Sequence, residues 1–426
     1  MNELKTIAQG YCGPEAELLQ LALLRAGYLL SRPDGVFGSE TAAALVRFQR
    51  MNGLAPDAIA GPQTWAELLP RLRGYFVHRV RRGDTLFRLA RSYYTSLRAI
   101  ELANPGIDPF DLRVGSSLII PLPFPVVPDN VRLTPTLFAI IADGLAKRYP
   151  FIKTRSIGKS VMGRDIILFT IGNGTREVFY NAAHHANEWI TTPILLRFIE
   201  EYAQAYADGG NIYGMKASEL FEQNVLYAVP MVNPDGVALV TGEMKDGAYY
   251  DKARRIASDY PSIPFPSGWK ANIEGVDLNL QYPAGWETAR SIKFAQGFTT
   301  PAPRDYVGAA PVSAPESRAI YELTLSRRFA LTISYHTQGR EIYWRYLELE
   351  PPGAEELAAE FAAASGYSVS DAVYNSGFAG YKDWFIDRYF RPGYTIEAGM
   401  GENPLPLSQL DGIYRDNLGI LTLGLT

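Results

Sequence analysis

The longest part of this sequence predicts an α/β fold, a mixed sheet with helices on both faces, preceded by a small three-helix domain and a βααβ unit. Three observations carry that expectation. Between residues 136 and 426, short apolar runs alternate with amphipathic stretches, the pattern of strands and crossover helices. Before residue 74, apolar residues recur at helical spacing. Between 74 and 122, two alternating runs bracket two helical ones.

The elements follow in order. "EAELLQLALLRAGYLL" is a helix, and the turn "SRPDGVFGSE" leads into a second, "SETAAALVRFQRMNGL", with Ser39 as N-cap and Gly53 past its end. "GPQTWAELLPRL" is a third, so residues 1–73 read as one helical domain. In 74–122, "YFVHRV" and "SSLIIPL" are strands flanking the helices "DTLFRLARSY" and "SLRAIELAN". "PLPFPVVPDNVRLTP" holds five prolines in 15 residues, so 123–135 reads as a stiff, extended linker. In 136–426 the strand candidates include "REVFYNAAH", "NVLYAVPMVNPDG", "RRFALTISYH" and "GYTIEAGM". The helix candidates there include "TTPILLRFIEEYAQAYA", "APESRAIYELTLSR" and "AEELAAEFAAASG".

Composition narrows the functional classes. The 426 residues are 47% hydrophobic and 20% charged, ample for a core. The net charge of −4 gives no reason to expect nucleic acid or an anionic membrane as partner. Cys12 is the only cysteine, which excludes an intrachain disulfide and any zinc site built on several thiolates. "MNELKTIAQGYCGPEAELL" has no continuous apolar stretch, so no secretory leader is expected. No run of 18 apolar residues offers a membrane span.

The chain has four histidines, His78, His184, His185 and His336, and two of them adjoin in "NAAHHANEW". His185 and Glu188 are three apart across a strand-to-helix turn, so both side chains can reach one ion. "FALTISY" ends at His336, "YTI" ends at Glu397 and "EGVDL" ends at Asn279. Ligands of open α/β sheets sit at such carboxyl ends. Two imidazoles and a carboxylate leave the fourth position of a zinc ion open for catalysis. The competing reading is a set of buried, hydrogen-bonded core histidines. There is no H-E-x-x-H and no G-x-S-x-G. "GKS" at 158–160 lacks the upstream glycine of a phosphate loop, because Lys153 stands there.

Family resemblances sharpen this. "DGVFGSETAAALVRFQRMNGLAPDAIAGPQTWAEL" resembles the peptidoglycan-binding helical domain, departing from it at Ala58-Ile59. "HRVRRGDTLFRLARSYYTSLRAIELANPGIDPFDLRVGSSLIIP" resembles LysM domains, which implies binding to N-acetylglucosamine-containing chains. His78 lies in its first strand and, with no acidic partner beside it, reads as a surface or packing residue. "AAHHANEWITT", "SGWKANIEGVDLNLQYP", "SYHTQG" and "YTIEAG" resemble the zinc carboxypeptidase family in motif order. That resemblance implies one Zn2+ per chain on His185, Glu188 and His336, with His184 as a structural neighbour. It implies Glu397 as general base, Lys270 at the oxyanion and Asn279 as a substrate ligand. Tyr374, in "DAVYNSGFAG", stands near the place of the family's mobile tyrosine.

The departures carry information. Leu280 and Asn187 stand where the family has arginines, and Lys270 stands where it has another. Leucine cannot fork onto a substrate's terminal carboxylate. "GVDLNLQYPAGW", "HTQGREIYW" and "EAGMGENPLPL" look like the γ-D-glutamyl-L-diamino acid endopeptidases of that family. This implies hydrolysis between γ-D-Glu and meso-diaminopimelate or Lys in peptidoglycan stem peptides. The partners implied are those peptides and the glycan chains, with no nucleic acid and no membrane. Arg340, Arg345 and Lys382 are the cations nearest the motifs for the substrate's extra carboxylates. The alternatives are a zinc carboxypeptidase acting on ordinary peptides and a non-catalytic wall-binding protein. With no leader visible, the expected setting is cell-wall or spore association, or cytoplasmic handling of wall fragments.

Overall fold

The computed structural model describes residues 4–426; the first three residues, part of the helical domain and of the segment read for a leader, lie outside it. The chain forms two compact units, 1–153 and 154–426. No helix among the described residues is long and apolar enough to cross a membrane.

The first unit begins with α1 (Pro14–Arg25), α2 (Ser39–Met51) and α3 (Pro62–Arg73). Leu19, Leu23, Phe37, Leu45, Phe48, Trp65 and Leu68 are buried there. Helix α2 starts at Ser39 itself, with extended Gly38 as its cap and no side-chain cap. Two buried glutamines hold the two aspartate turns: Gln20 donates to Asp34 at 2.7 Å and Gln49 to Asp57 at 2.9 Å. In the first turn Gly35 has φ +75°; in the second, Ala58 adopts φ +58°, a conformation that glycine takes without a Cβ penalty.

Strands β1 (Tyr75–Arg79) and β2 (Ser117–Pro121) pair antiparallel around α4 (Leu86–Ser92) and α5 (Leu97–Ala103). Thr85 and Ser96 cap the two helices through their side-chain oxygens. Asn104 ties α5 to β2, donating to Ile100 O and Ile119 O at 2.7 Å. His78 departs from its expectation: the turn after β1 brings Asp84 Oδ2 to 2.8 Å from its Nε2, and Tyr93 Oη lies 3.0 Å from its Nδ1. The acidic partner was six residues away in sequence and is brought close by the fold.

Residues 123–135 are laid against the helices rather than extended free. A proline-rich segment pairs few backbone groups within itself, and arginines take its carbonyls. Arg25 donates to Pro125 O at 2.8 Å and to Val126 O at 3.0 Å, and Arg148 donates to Phe124 O at 2.6 Å. Val126 and Val127 are buried. Arg132 pairs with Glu17 at 2.6 Å. Helix α6 (Pro135–Arg148) completes this unit. Its Gly144 is packed so closely that an added Cβ would lie 2.2 Å from Arg73 O. Gly144→Ala is therefore expected to destabilise this unit by about 2 kcal/mol, because a backbone oxygen cannot give way as a flexible side chain can. Urea denaturation of the full chain, followed by hydrogen exchange in α3 and α6, checks this; unchanged protection there would contradict it.

The second unit carries a mixed eight-stranded sheet in the order β11-β10-β12-β9-β5-β8-β4-β3. The strands are β3 (Lys153–Lys159), β4 (Asp165–Gly172), β5 (Arg176–Ala182), β8 (Asn224–Val229), β9 (Leu331–His336), β10 (Glu341–Tyr343), β11 (Ser368–Ser370) and β12 (Gly393–Glu397); β6 (Asn211–Ile212) and β7 (Met215–Lys216) form a separate short pair. Strands β12, β9, β5 and β8 run parallel, and β4 and β10 oppose their neighbours β8 and β12. The helices are α7 (Thr191–Asp208), α8 (Ala217–Gln223), α9 (Pro234–Val240), α10 (Ala248–Ser258), α11 (Trp286–Ala295), α12 (Pro315–Leu325), α13 (Ala354–Ser365), α14 (Tyr381–Tyr389) and α15 (Leu410–Leu423). Strand β9 is buried at all six positions, as a central parallel strand covered on both faces must be.

Candidate metal centre and catalytic cleft

The parallel strands bring the rare polar residues to one end of the sheet. His336 is the last residue of β9 and Glu397 the last of β12, and the two are register partners. His185 follows β5 after a left-handed turn at Ala183, φ +51°. Few non-glycine residues adopt that conformation, and it is held here by its surroundings. Ala183 N donates to Thr191 Oγ1 at 3.0 Å, and Asn233 N donates to Ala183 O at 3.0 Å. The buried Asn233 amide also donates to His184 O at 3.1 Å and to Ala271 O at 3.0 Å. Beyond the turn the adjacent histidines part. His184 is fully buried, 3.0 Å from Tyr282 Oη, while His185 lines the cleft.

His185, Glu188 and His336 form a buried cluster whose ligand atoms lie within 4.8 Å of one another. His185 Nδ1 is 3.0 Å from Glu188 Oε1, His336 Nδ1 is 3.0 Å from Glu188 Oε2, and the two imidazole nitrogens are 3.2 Å apart. Two nitrogens bound tetrahedrally to zinc at roughly 2.05 Å sit about 3.3 Å apart, so this donor set fits that ion without rearrangement.

A carboxylate that sequence reasoning missed completes the centre. Asp277 Oδ1 lies 3.0 Å from His185 Nε2, which orients the ring and keeps Nδ1 toward the metal position. Its Oδ2 accepts from Asp305 N at 3.1 Å. Burial alone would raise its pKa, but His185, Lys270 and the Asp305 N–H together outweigh burial and hold it far below the usual carboxylate range. The signal was present in "EGVDLN", two residues before Asn279.

Lys270 and Glu397 both line the cleft. Lys270 is anchored through its backbone, its N donating to Pro303 O at 2.8 Å and its O accepting from Ala186 N at 3.0 Å. Its Nζ is 3.3 Å from Glu188 Oε1. Burial would lower this ammonium, but Glu188 and Asp277 outweigh it and raise it. Burial pushes the Glu397 carboxyl up to about 8, and nearby Glu188 adds to the rise. A carboxyl poised near neutrality suits proton transfer.

The remaining predicted residues divide. Asn279 lines the cleft from a short 3-10 turn (Leu278–Leu280) rather than from a strand end, and its Oδ1 accepts from Tyr381 N at 3.0 Å. Lys382 also lines it, but its Nζ is held by Arg345 O and Asp383 Oδ1, each at 2.6 Å. Tyr374 is exposed and belongs to a smaller neighbouring pocket, edge-on to Phe378. Arg340 lies outside the cleft, paired with Asp416 at 3.5 Å and over the Tyr367 ring. Arg345 is taken by Asp371 and Glu350. Leu280 is 8% exposed and packs in the apolar core beside the cleft. The whole cleft has a volume of about 670 Å³.

Known proteins resemble this chain in sequence and fold. The chain is 47% identical over 282 residues to γ-D-glutamyl-L-diamino acid endopeptidase 1 of Lysinibacillus sphaericus, covering 66% of this chain and 69% of that one. It is 41% identical over 276 residues to the uncharacterized protein YqgT of Bacillus subtilis (strain 168), covering 64% and 72%. Carboxypeptidase A from Helicoverpa armigera shares the fold, with a TM-score of 0.54 at 20% identity over 70% of this chain and 73% of that one. The peptidoglycan binding domain matches residues 12–68 and the LysM domain residues 78–121. The zinc carboxypeptidase family matches residues 140–419; this chain, a zinc metallopeptidase, belongs to that family.

Proposed function

We propose that the enzyme hydrolyses the bond between γ-D-glutamate and the diamino acid, meso-diaminopimelate or Lys, of peptidoglycan stem peptides, using one zinc ion per chain. The observation that carries this reading is Leu280. Where a carboxypeptidase acting on ordinary peptides needs a guanidinium fork for the chain-terminal carboxylate, this cleft presents a core-packed leucine. The name of the Lysinibacillus sphaericus relative supports the same bond. So do the two wall-binding modules, which would concentrate the catalytic unit at a wall, that of a spore included.

Zinc held by His185, Glu188 and His336 would supply Lewis acidity and acidify its bound water. Glu397 takes a proton from the attacking water and delivers it to the leaving amine as the amide C–N bond breaks. Lys270 donates to the carbonyl oxygen as that oxygen becomes negative. Asn279 and the flanking cleft walls orient the substrate.

Incubating the pure protein with L-Ala-γ-D-Glu-meso-diaminopimelate and following products by mass spectrometry tests this. Release of L-Ala-D-Glu, abolished by a chelator and absent from an ordinary L-peptide control, is the expected result. Trimming of the control instead would mean a general carboxypeptidase.

A further inference from the structure

We propose that Arg304 receives the free α-carboxylate that a γ-linked D-glutamate carries on the acyl side of the scissile amide; this rests on the substrate reading above. Lys270, Lys293, Arg304 and Lys382 line the cleft. Three of their charged ends are engaged: Lys270 faces Glu188 at 3.3 Å, Lys293 meets Asp305 Oδ1 at 2.7 Å, and Lys382 meets Asp383 at 2.6 Å. Arg304 is engaged only through Nε, which donates to Asp305 Oδ2 at 2.6 Å. Its two terminal amino groups make no protein hydrogen bond among the described residues, and the side chain is 44% exposed. An arginine held at Nε with its end open presents two parallel donors, the geometry that grips a carboxylate.

The backbone around Arg304 is fixed to the metal centre on both sides. Pro303 O accepts from Lys270 N at 2.8 Å and from Ala271 N at 2.9 Å. Asp305 N donates to Asp277 Oδ2, the carboxylate whose other oxygen lies on His185. Asp305 itself adopts φ +64°, a left-handed conformation disfavoured for a residue with a side chain. A guanidinium on a segment so constrained keeps a constant position relative to the scissile bond.

The chemistry of the bond says which carboxylate it meets. An α-linked peptide has no backbone carboxylate on the acyl side of the bond being cut. A γ-linked D-glutamate carries one there, three carbons from the reacting carbonyl. Arg304 therefore supplies, from the 302–306 loop, the forked cation that Leu280 cannot supply from the 278–280 turn. In this arrangement it selects for γ-linkage rather than for a chain terminus.

The test compares kcat/KM of the full-length zinc enzyme and of Arg304→Gln on two substrates. One is L-Ala-γ-D-Glu-meso-diaminopimelate; the other carries D-isoglutamine, with a carboxamide in place of the α-carboxylate. Wild type is expected to prefer the acid, and Arg304→Gln to reduce that preference about tenfold, the low end for a charged hydrogen bond because the site is partly open to solvent. Arg304→Lys should restore part of it. Zinc content and melting temperature, measured alongside, register a merely structural role. Equal loss on both substrates, or an unchanged preference, overturns the assignment. So does a preference that follows amidation of the diamino acid instead. If wild type cleaves neither substrate, the γ-glutamyl reading fails and this one with it, whereas cleavage by wild type with equal loss in the variant sinks this assignment alone.

Discussion

Glu397→Gln should keep its zinc and lose about a thousandfold in kcat, the middle of the range for a positioned proton-transfer group. Glu397 closes β12 opposite His336 in register and is separate from the cluster of three ligands. Glutamine matches its shape, so strand and cleft should persist, but a carboxamide cannot take the water's proton. Burial raises the Glu397 carboxyl, the direction that makes its carboxylate a stronger proton acceptor. Metal analysis together with progress curves on the γ-D-glutamyl substrate decides the matter. Activity within tenfold of wild type would remove Glu397 from the proton path, and loss of zinc would show that it acts as a ligand.

Asp277→Asn should weaken zinc binding 10- to 100-fold, the usual effect of losing the carboxylate behind a ligating histidine. Asparagine can keep one oxygen toward His185 Nε2, but without the charge that strengthens that bond. Its amide then faces Asp305 N, 3.1 Å from the present carboxylate oxygen, placing two donors against each other. The 302–306 loop should loosen in consequence. Competition against a chelator of known affinity measures the first effect, and hydrogen exchange at Asp305 the second. Wild-type zinc affinity in this variant would mean that the His185 ring is oriented by other contacts.

Much of the site was legible because its residues are rare types at the ends of apolar runs. The strand pattern and the rule that ligands gather at carboxyl ends nominated His185, His336 and Glu397, and the family resemblance chose His185 over His184 and gave each its expected role. Asn279 was found by motif, but its backbone is a 3-10 turn, since "EGVDL" lacks strand partners. What escaped depends on contacts distant in sequence. Asp277 reaches His185 across 92 residues, and Arg304 is placed by Asp277 and Lys270. Arg340 was chosen by nearness to His336 along the chain, yet φ +56° at that residue accompanies a path that leads its side chain to Asp416. His78 gained its acidic partner the same way. The proline-rich segment was expected to be stiff and extended, but composition carries no information about Arg25 and Arg148, which hold it down.

That docked segment changes how the N-terminal modules can search a wall. Joined by a loose tether, the helical and LysM domains would each sample many positions, and the second would find some site wherever the first had landed. Helix α6 packs on the helical domain at Gly144 and takes the first LysM strand through Tyr75 Oη, which donates to Asp143 Oδ2 at 2.6 Å, so the two modules would act as a gauge with two marks at a constant interval. Where the spacing of wall polymer matches that interval, the second contact forms with almost no further loss of freedom. Where it does not, the second module contributes nothing. Retention would then report the texture of the wall as well as its composition.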